Sequence, residues 1–350
     1  GDPGVSRDGS TGSSPAPQAE SAPVPQTVVA GLEAPWSIAF TGGTALVSQR
    51  DDGRGLEVTG AGTDQPTTRE AGRVPGVEHG GEGGLLGLAV REDRGTTWLY
   101  AYSTGTDGNR IQRLELTGTP GTLALGPAET LLAGVPSAGH HNGGRIAFGP
   151  DGMLYAGTGD AGDPASAQDP DSLAGKILRL TPDGEVPADN PDPASPVYSQ
   201  GHRNVQGLAW GEDGTMFATE FGQNTWDELN VVEAGGNYGW PEAEGITGET
   251  GAERGFLDPV QQWAPEEASP SGLASVRERL YVANLRGQVL RTVPTADPTA
   301  SIEHWDGQYG RLRDAVVAPD GDVWVLTNNT DGRGRPGQED DRILAFTPPG

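Results

Sequence analysis

The chain has 350 residues, of which 49 are acidic and 23 basic, and its formal net charge is −26. This charge opposes binding to nucleic acid and to anionic membrane surfaces. The sequence contains no cysteine, which excludes disulfides, thiolate metal sites and a cysteine nucleophile. The 56 glycines and 29 prolines, with few long helical periodicities, indicate an all-β protein of short strands and tight turns.

The N-terminal segment differs in composition from the rest of the chain. Residues 1–26 are rich in serine, proline, alanine and glycine and have almost no large apolar side chain. This is linker composition, so we expect a disordered leader over 1–26 and one folded domain over 27–350. Such a leader often tethers an exported domain to a membrane, which favours an extracellular or periplasmic location. No stretch is apolar and long enough to span a bilayer.

After the leader, one outline recurs six times: an apolar strand, a turn, a second apolar strand, a polar connection and a third strand. Asp-Gly turns at Asp151, Asp213 and Asp320 separate the first two strands in three of these units. The predicted strands, unit by unit, are 37–40, 45–47, 56–58; 86–90, 98–102, 111–116; 145–148, 153–156, 176–180; 207–210, 215–218, 228–232; 271–274, 280–283, 288–291; and 315–318, 323–326, 342–346.

Units of about 54 residues have the size of a four-stranded propeller blade with its loops. The sequence therefore predicts an all-β fold, a six-bladed β-propeller with four-stranded antiparallel blades. The strand at 26–29 lies outside the first unit, and we expect it to pair with the last blade and close the ring. A β-sandwich or a β-helix is the alternative, and neither explains six irregularly spaced copies with long inserts.

Loops that join equivalent strands of successive blades meet at one mouth of the central channel. In this chain those loops carry an unusual share of the histidines, arginines and asparagines. In a chain of net charge −26, four arginines at one mouth indicate a pocket for a ligand with several carboxylates or phosphates. Each arginine alone is equally well explained as the structural partner of a buried aspartate or a loop carbonyl. The polar residues expected at this mouth are His79, Glu82, His140, His141, Asn142, His202, Arg203, Asn204, Asn284, Arg286, Arg311 and Arg313.

The stretch from His140 to Asp160 reads as a hairpin with its ionisable groups at one end. The two histidines precede its first strand and the aspartate follows its second strand. Because antiparallel neighbours start and finish at the same edge, His141 and Asp160 are expected at the same end of the sheet.

A second polar stretch lies within the fourth unit. Residues 219–230 are rich in carboxylates and amides, and the glycine-rich stretch 235–241 follows. Carboxylates, amides and exposed carbonyls are the ligands that Ca²⁺ prefers. The spacing fits no EF-hand loop, so the pattern alone does not define a calcium site.

Several motifs, in the same order, resemble the soluble quinoprotein dehydrogenases, the pyrroloquinoline quinone (PQQ)-dependent glucose, sorbosone and aldose sugar dehydrogenases. The resemblance covers nearly the whole chain after the leader, and it implies a six-bladed propeller with the quinone in the central mouth. The motifs are Glu82-Gly-Gly-Leu-Leu-Gly-Leu-Ala89, His141-Asn-Gly-Gly-Arg145 with Gly159-Asp160, Gly201-His-Arg-Asn-Val-Gln-Gly-Leu-Ala209, Asn237-Tyr-Gly-Trp-Pro241, Leu285-Arg-Gly287 and Arg311-Leu-Arg-Asp314.

The resemblance assigns roles to individual residues. It implies that His141 is the general base, that Asp160 orients it, and that Arg203 helps to stabilise the oxyanion that forms on the quinone. The main-chain carbonyls of Gly222 and Gln223 would bind a Ca²⁺ that also touches PQQ. The residues implied to contact the quinone are Glu82, His141, Arg203, Asn204, Arg286, Arg311 and Arg313, and those implied for a second, structural calcium are Glu228 and Tyr238.

The implied reaction is oxidation of aldose sugars at C1 to lactones, with hydride transfer to PQQ and electrons passed to an external acceptor. Arg286 stands where the glucose-oxidising relatives carry lysine, and Glu82 where they carry glutamine, so the preferred sugar stays open. A calcium-dependent lactonase is one alternative, although it would not need four arginines at the mouth. A non-catalytic binding propeller is the other.

Overall fold

The computed structural model describes residues 21–350. Most of the predicted leader, 1–26, therefore lies outside the described residues, and its boundary stays a prediction. Helix within 21–350 is limited to the short α1 (Glu249–Glu253) and two 3₁₀ turns, Pro164–Gln168 and Pro265–Glu267. No helix in this range is long and apolar enough to cross a membrane.

The rest of the regular structure consists of short β-strands. In chain order they are β1 (Gln26–Val29), β2 (Pro35–Thr41), β3 (Thr44–Gln49), β4 (Arg54–Thr59), β5 (Thr67–Arg73), β6 (Leu85–Asp93), β7 (Thr96–Gly105), β8 (Gly108–Thr117), β9 (Ala124–Val135), β10 (Ile146–Phe148), β11 (Leu154–Gly157), β12 (Lys176–Leu180), β13 (Val197–Gln200), β14 (Val205–Trp210), β15 (Met216–Glu220), β16 (Asp227–Val232), β17 (Gln261–Trp263), β18 (Pro270–Val276), β19 (Arg279–Asn284), β20 (Leu290–Pro294), β21 (Ile302–His304), β22 (Leu312–Val317), β23 (Val323–Thr327) and β24 (Ile343–Phe346).

These strands form six four-stranded antiparallel sheets. Five sheets follow the chain as β2–β5, β6–β9, β10–β13, β14–β17 and β18–β21. The sixth consists of β22, β23 and β24 with β1 on its outer edge, where Gln26 pairs with Ala345. The predicted six-bladed propeller with four-stranded antiparallel blades is confirmed, as is closure of the ring by the strand at 26–29.

The hydrophobic core lies mainly between neighbouring blades. One cluster, for example, joins Trp36 of β2, Leu86 of β6 and Ile146 of β10, which are first strands of three successive blades. Each of these side chains is almost fully buried. Burial of such side chains stabilises the fold by roughly 1.5–3 kcal/mol each before entropy is counted. The blades are thus held to one another by apolar packing around a central axis.

Arg145 crosses this axis just before β10. Its Nε donates a hydrogen bond to the Gln206 carbonyl at 2.7 Å, and its Nη1 lies 3.2 Å from Oδ2 of Asp314. The guanidinium also stacks on the Trp36 ring, 4.1 Å from its centroid. The side chains of Arg145 and Asp314 are 7 % and 3 % exposed, so the ion pair closes the channel. A cavity of about 320 Å³ lies on its far side, lined by the first strands.

Candidate active site

A cavity of about 600 Å³, here called the mouth cavity, opens at the end of the channel where the loops precede each first strand or follow each second strand. It brings together four of the predicted residues, Glu82, Arg286, Arg311 and Arg313. Arg286 is the most exposed of the four, with 57 % of its side chain accessible. The complete lining is Arg50, Gly81, Glu82, Phe221, Ser269, Leu285, Arg286, Arg311, Arg313, Asp331, Gly332 and Arg333.

Asp331 organises the arginines of the mouth cavity. Its Oδ2 accepts hydrogen bonds from Nε and Nη2 of Arg311 at 3.0 and 2.8 Å, and lies 3.7 Å from Nη2 of Arg313. Burial alone would raise the pKa of Asp331, but the charges of Arg313 and Arg311 outweigh it and lower the pKa. Arg50 joins the group by donating to the Asp331 carbonyl at 3.0 Å. The cavity therefore keeps an excess of guanidinium over carboxylate groups.

Arg313 is the most deeply buried arginine of this cavity. Its Nε donates to Asn328 Oδ1 at 2.9 Å, and its Nη1 donates to Gln206 Oε1 at 2.8 Å. Burial lowers the pKa of Arg313 to about 9, against the opposing effect of Asp331. The guanidinium is still protonated at neutral pH, so a buried positive charge lies at the base of the cavity.

The predicted base, His141, is held by Asp160. His141 Nδ1 lies 2.8 Å from Asp160 Oδ1, and Asp160 Oδ2 accepts a hydrogen bond from Trp240 Nε1 at 2.9 Å. Burial raises the pKa of Asp160, but hydrogen bonds from His141 and from the Gly162 N–H outweigh it, so the pKa is lowered. A charged Asp160 favours the tautomer in which Nδ1 carries the proton, and His141 Nε2 then keeps its lone pair.

The backbone at His141 adopts an unusual conformation that its surroundings maintain. Its φ angle is 55°, in the left-handed region, which costs a non-glycine residue about 1 kcal/mol or more. The Ala161 N–H donates to the His141 carbonyl at 3.0 Å. A side chain at Gly159 would collide with that same carbonyl, so the Gly159-Asp160 pair requires glycine at its first position.

Arg203 and Asn204 lie beside this pair and have unused hydrogen-bonding capacity. The Asp160 N–H donates to the Arg203 carbonyl at 2.8 Å, and the Arg203 guanidinium lies 5.5 Å from the Trp240 ring centroid. Arg203 Nη1 donates to the Phe221 carbonyl at 3.2 Å and to the Gly222 carbonyl. Among the described residues, the buried Nε of Arg203 and Nδ2 of Asn204 have no hydrogen-bond partner. Burial lowers the pKa of Arg203.

The group formed by His141, Asp160, Arg203 and Asn204 adjoins the mouth cavity but is not part of its lining. Phe221 lines the cavity and also accepts the hydrogen bond from Arg203. A second link is the hydrogen bond that the Glu82 N–H donates to the Gly139 carbonyl at 2.9 Å. It connects the Glu82 loop with the loop that carries His141. Thus every predicted catalytic or quinone-contacting residue lies in the cavity wall or in the group of residues beside it.

The first predicted calcium site lies on the loop between β15 and β16. Glu244 Oε1 accepts hydrogen bonds from the main-chain N–H groups of Gln223, Thr225 and Trp226 at 2.9, 3.1 and 3.0 Å. No cluster of three or more acidic or histidine side chains suited to a metal is present among residues 21–350. The predicted ligands, Gly222 and Gln223, would use main-chain carbonyls, so this site stays a prediction.

Glu228 and Tyr238, predicted for a second calcium, have protein partners in the structure. Glu228 accepts hydrogen bonds from Asn230 Nδ2 at 3.3 Å and from the Gly245 N–H at 3.1 Å. Burial and the negative charge of Glu220 raise the pKa of Glu228. The Tyr238 hydroxyl donates to the Val231 carbonyl at 2.7 Å. A structural calcium at these two residues stays a prediction.

Two further histidines of the loops, His202 and His140, have different surroundings. His202 is fully buried, with Nδ1 2.7 Å from Glu220 Oε1 and Nε2 2.8 Å from the Ser199 hydroxyl, and its ring stacks on Tyr238. Its partners are all protein groups, so it is a structural residue beneath the rim. His140 is exposed, and its ring lies edge-on to that of His141 with centroids 4.3 Å apart.

Several site residues were not predicted from the sequence. Arg50 directly follows the second strand of the first blade, the same position that Leu285 occupies in the fifth, so the repeat itself could have identified it. Trp240 belongs to the quoted Asn237–Pro241 motif, but its contact with Asp160 depends on the packing of two blades. Asp331 lies in a loop of many polar residues and has no distinguishing local pattern.

Fold and site together define a six-bladed propeller with a cationic cavity and an aspartate-bound histidine at one mouth, which is an enzyme-like arrangement. Residues 32–335 match the family model for glucose / sorbosone dehydrogenase. The chain therefore belongs to this family of oxidoreductases, and the resemblance to the soluble quinoprotein sugar dehydrogenases is confirmed.

Individual relatives agree with this assignment. The PQQ-bound form of aldose sugar dehydrogenase from Streptomyces coelicolor is 50% identical with a TM-score of 0.88, over 95% of this chain and 99% of that chain. A putative oxidoreductase (glucose dehydrogenase) from Thermus thermophilus is 39% identical with a TM-score of 0.80, over 93% and 99%. Aldose sugar dehydrogenase YliI of Escherichia coli is 28% identical, over 86% of this chain and 89% of its own length.

Proposed function

We propose that this protein oxidises aldose sugars at C1 to lactones, with PQQ as the bound oxidant, and passes the electrons to an external acceptor. The observation that carries the proposal is the position of the His141–Asp160 pair directly beside a cavity lined by arginines. The likeness of this chain to a PQQ-bound aldose sugar dehydrogenase, at 50% identity, supports the choice of cofactor.

The donor groups of the site suit a molecule that carries several carboxylates. Arg50, Arg286, Arg311 and Arg313 line a cavity of about 600 Å³, and guanidinium groups bind carboxylates in a bidentate manner. Arg203 Nε and Asn204 Nδ2 are buried donors without protein partners, which a ligand with carbonyl oxygens would satisfy. PQQ has three carboxylates and adjacent quinone carbonyls, so these residues fit it.

His141 would begin the reaction by accepting the proton of the anomeric hydroxyl at Nε2. Asp160 keeps Nδ1 protonated and stabilises the imidazolium that results. As the C1–O bond becomes a carbonyl, the hydrogen on C1 leaves with its electron pair. The quinone, when bound, supplies the two-electron acceptor for this hydride.

Arg203 would stabilise negative charge that develops next to the sugar, because its Nε is buried and has no protein partner. Ca²⁺ on the carbonyls of Gly222 and Gln223 would assist by adding positive charge. We further propose that the enzyme works outside the cytoplasm, where its electron acceptor is a separate molecule.

Reconstitution tests this function. Purified apoprotein receives PQQ and Ca²⁺, and reduction of a dye is measured with a panel of aldoses, beside quinone-free and EDTA-treated samples. We expect sugar-dependent activity only where PQQ is present, and a loss of activity on treatment with EDTA. PQQ-independent lactone hydrolysis would contradict the proposal and favour a lactonase. A protein with no affinity for PQQ and no activity would indicate a binding propeller.

A further inference from the structure

A second cavity, here called the side cavity, adjoins the mouth cavity. It has a volume of about 420 Å³ and shares Arg311 and Arg333 with its neighbour. The roles proposed above use none of its other residues. The complete lining is Gln288, Gly307, Gln308, Tyr309, Gly310, Arg311, Asn329, Arg333, Gly334, Arg335, Gly337, Asp340 and Arg342.

The side cavity is cationic in a strongly acidic chain. Its lining holds four arginines and one acidic residue, Asp340, whereas the whole chain has a net charge of −26. Arg342 forms ion pairs through Nη1 with Glu339 at 3.2 Å and through Nε with Asp340 at 3.6 Å, the second too long for a hydrogen bond. The guanidinium of Arg342 lies 5.4 Å from the centroid of the Tyr309 ring. Arg335, which is exposed, adds a further guanidinium to the same wall.

The loop that carries these arginines is anchored at both ends. At its start, Asp331 Oδ1 accepts the N–H groups of Arg333 at 2.8 Å and Gly334 at 3.1 Å. At its end, the fully buried Asp341 accepts the Asn329 N–H at 2.6 Å. Asp331 is also the partner of Arg311, so one carboxylate fixes arginines of both cavities relative to each other.

We propose that the side cavity binds the anionic group, a carboxylate or a phosphate, of a molecule whose reacting part enters the mouth cavity. Planar guanidinium groups are the donors that such anions prefer, and side-chain amides add further donors. The molecule is either an acidic sugar or an anionic electron acceptor. The inference rests on the proposed function for its reaction, but binding of the anion itself does not depend on that function.

Arg335 offers the sharpest test, because it is exposed, lies in the side cavity and has no place in the lining of the mouth cavity. Inorganic phosphate is titrated by calorimetry into PQQ-treated protein, as wild type and as Arg335→Gln. We expect binding to weaken about tenfold in the variant, as for loss of one charged hydrogen bond. The matched control is Arg94→Gln, since the Arg94 side chain is 94% exposed in the turn between β6 and β7.

Equal phosphate affinity in wild type and Arg335→Gln, or an equal loss in Arg94→Gln, would overturn the proposal. If PQQ fails to bind at all, the proposed function fails. The difference in phosphate affinity between Arg335→Gln and Arg94→Gln still reports on the side cavity in that case. The two inferences are therefore separable.

Kinetics identifies the source of the anion. One arm compares kcat/KM for glucuronate and glucose with benzoquinone, a neutral acceptor. The other arm compares kcat/KM for ferricyanide with kcat/KM for benzoquinone, while glucose is the substrate in both cases. If Arg335→Gln lowers the glucuronate-to-glucose ratio about tenfold, the ligand is an acidic sugar; if it lowers the ferricyanide-to-benzoquinone ratio, the ligand is the acceptor. Unchanged ratios in both arms would contradict a role in catalysis for this cavity.

Discussion

His141 is oriented by two residues that come from different parts of the chain. Asp160, 19 residues further on, binds its Nδ1, and Trp240 of a later blade holds the other carboxylate oxygen. An aspartate bonded on both oxygens cannot rotate freely, so the imidazole has one preferred direction. The geometry resembles that of the histidine–aspartate pair in hydrolases, where the aspartate also fixes the tautomer.

We predict that His141→Ala lowers turnover by about two to four orders of magnitude, as expected for loss of a general base. The affinity for PQQ should stay close to that of the wild type, because the arginines of the mouth cavity are untouched. Steady-state kinetics and a PQQ titration measure the two quantities separately. His140→Ala is the matched control, since His140 is an exposed neighbour and should keep most of its turnover. Unchanged turnover in His141→Ala would place the base elsewhere.

The sequence was sufficient to predict that His141 and Asp160 lie together, but not the contacts that join different blades. His141 and Asp160 lie before and after the two strands of one hairpin, so their proximity follows from local pairing. The contacts of Arg145 with Gln206 and Asp314, by contrast, join three blades, and no local pattern encodes them. The roles of single arginines were unresolved for the same reason. Arg311 and Arg313 share Asp331, whereas the ion-pair partner of Arg286 within residues 21–350 is the distant Glu266, at 4.0 Å.

At the scale of secondary structure, the inner three strands of each blade were predictable, whereas the outermost strand was predicted only in the sixth blade, as β1. The five missed strands are β5, β9, β13, β17 and β21, each on the edge of its sheet. In β5 and β9 the burial pattern is mostly exposed or half-exposed, because one face meets water and no further strand covers the edge. Without an apolar alternation, such strands resemble polar loops in the sequence.

The connection between β11 and β12 bears the Asp160 carboxylate, and a buried lysine secures it. Lys176, at the start of β12, donates from Nζ to the carbonyls of Ser166 and Ala174, both at 2.8 Å. Its side chain is fully buried, and burial lowers the pKa of Lys176 to about 8, against the opposing charge of Asp169. The two carbonyls belong to the 3₁₀ turn and to the segment after it, so one ammonium group clamps the whole connection.

We predict that this lysine makes the free energy of unfolding depend on pH. In the unfolded chain Lys176 binds its proton up to about pH 10.5, but in the folded protein only up to about pH 8. Between about pH 8 and 10.5 the unfolded state therefore holds more protons than the folded state. The stability that Lys176 contributes rises with pH across this window, and it is lost again as the pH falls through 8. Relative to Lys176→Met, the wild type should gain about 3 kcal/mol between pH 7 and 10.5.

Denaturant unfolding of both proteins at several pH values measures this difference. Lys176→Arg is the matched control, because arginine stays charged throughout the range and should show no such gain. A wild type whose stability advantage over Lys176→Met falls with increasing pH would contradict the assigned sign.

For the whole molecule, the contacts at the axis join parts of the chain that are distant in sequence. Arg145 enters from the third blade and contacts the inner strands of four others, through Trp36, Gln206, Ser271 and Arg313. Asp314, its ionic partner, accepts the N–H groups of Ile38 and Ala315. Burial raises the pKa of Asp314, against the effect of Arg145, so the carboxylate depends on that guanidinium to remain charged.

We predict that Arg145→Met lowers the free energy of unfolding by about 3–5 kcal/mol, because it leaves a buried carboxylate without its partner. Arg145→Met combined with Asp314→Leu should recover part of the loss, since it removes the unpaired carboxylate but also takes the acceptor from the Ile38 and Ala315 N–H groups. Urea unfolding of the wild type, the single variant and the double variant measures both effects. A double variant no more stable than Arg145→Met would mean that the other hydrogen bonds of Arg145 dominate.

The Arg145–Asp314 pair also determines how molecules can move through the propeller. With the axis closed beneath Arg313, the mouth cavity does not continue into the cavity on the far side of the ion pair, and it opens to solvent at the mouth. Under the proposed function, sugar, lactone and electron acceptor would therefore share this one entrance. A lactone that has not left would then obstruct the acceptor, and a docked acceptor would obstruct the next sugar, so the two halves of the proposed catalytic cycle would alternate.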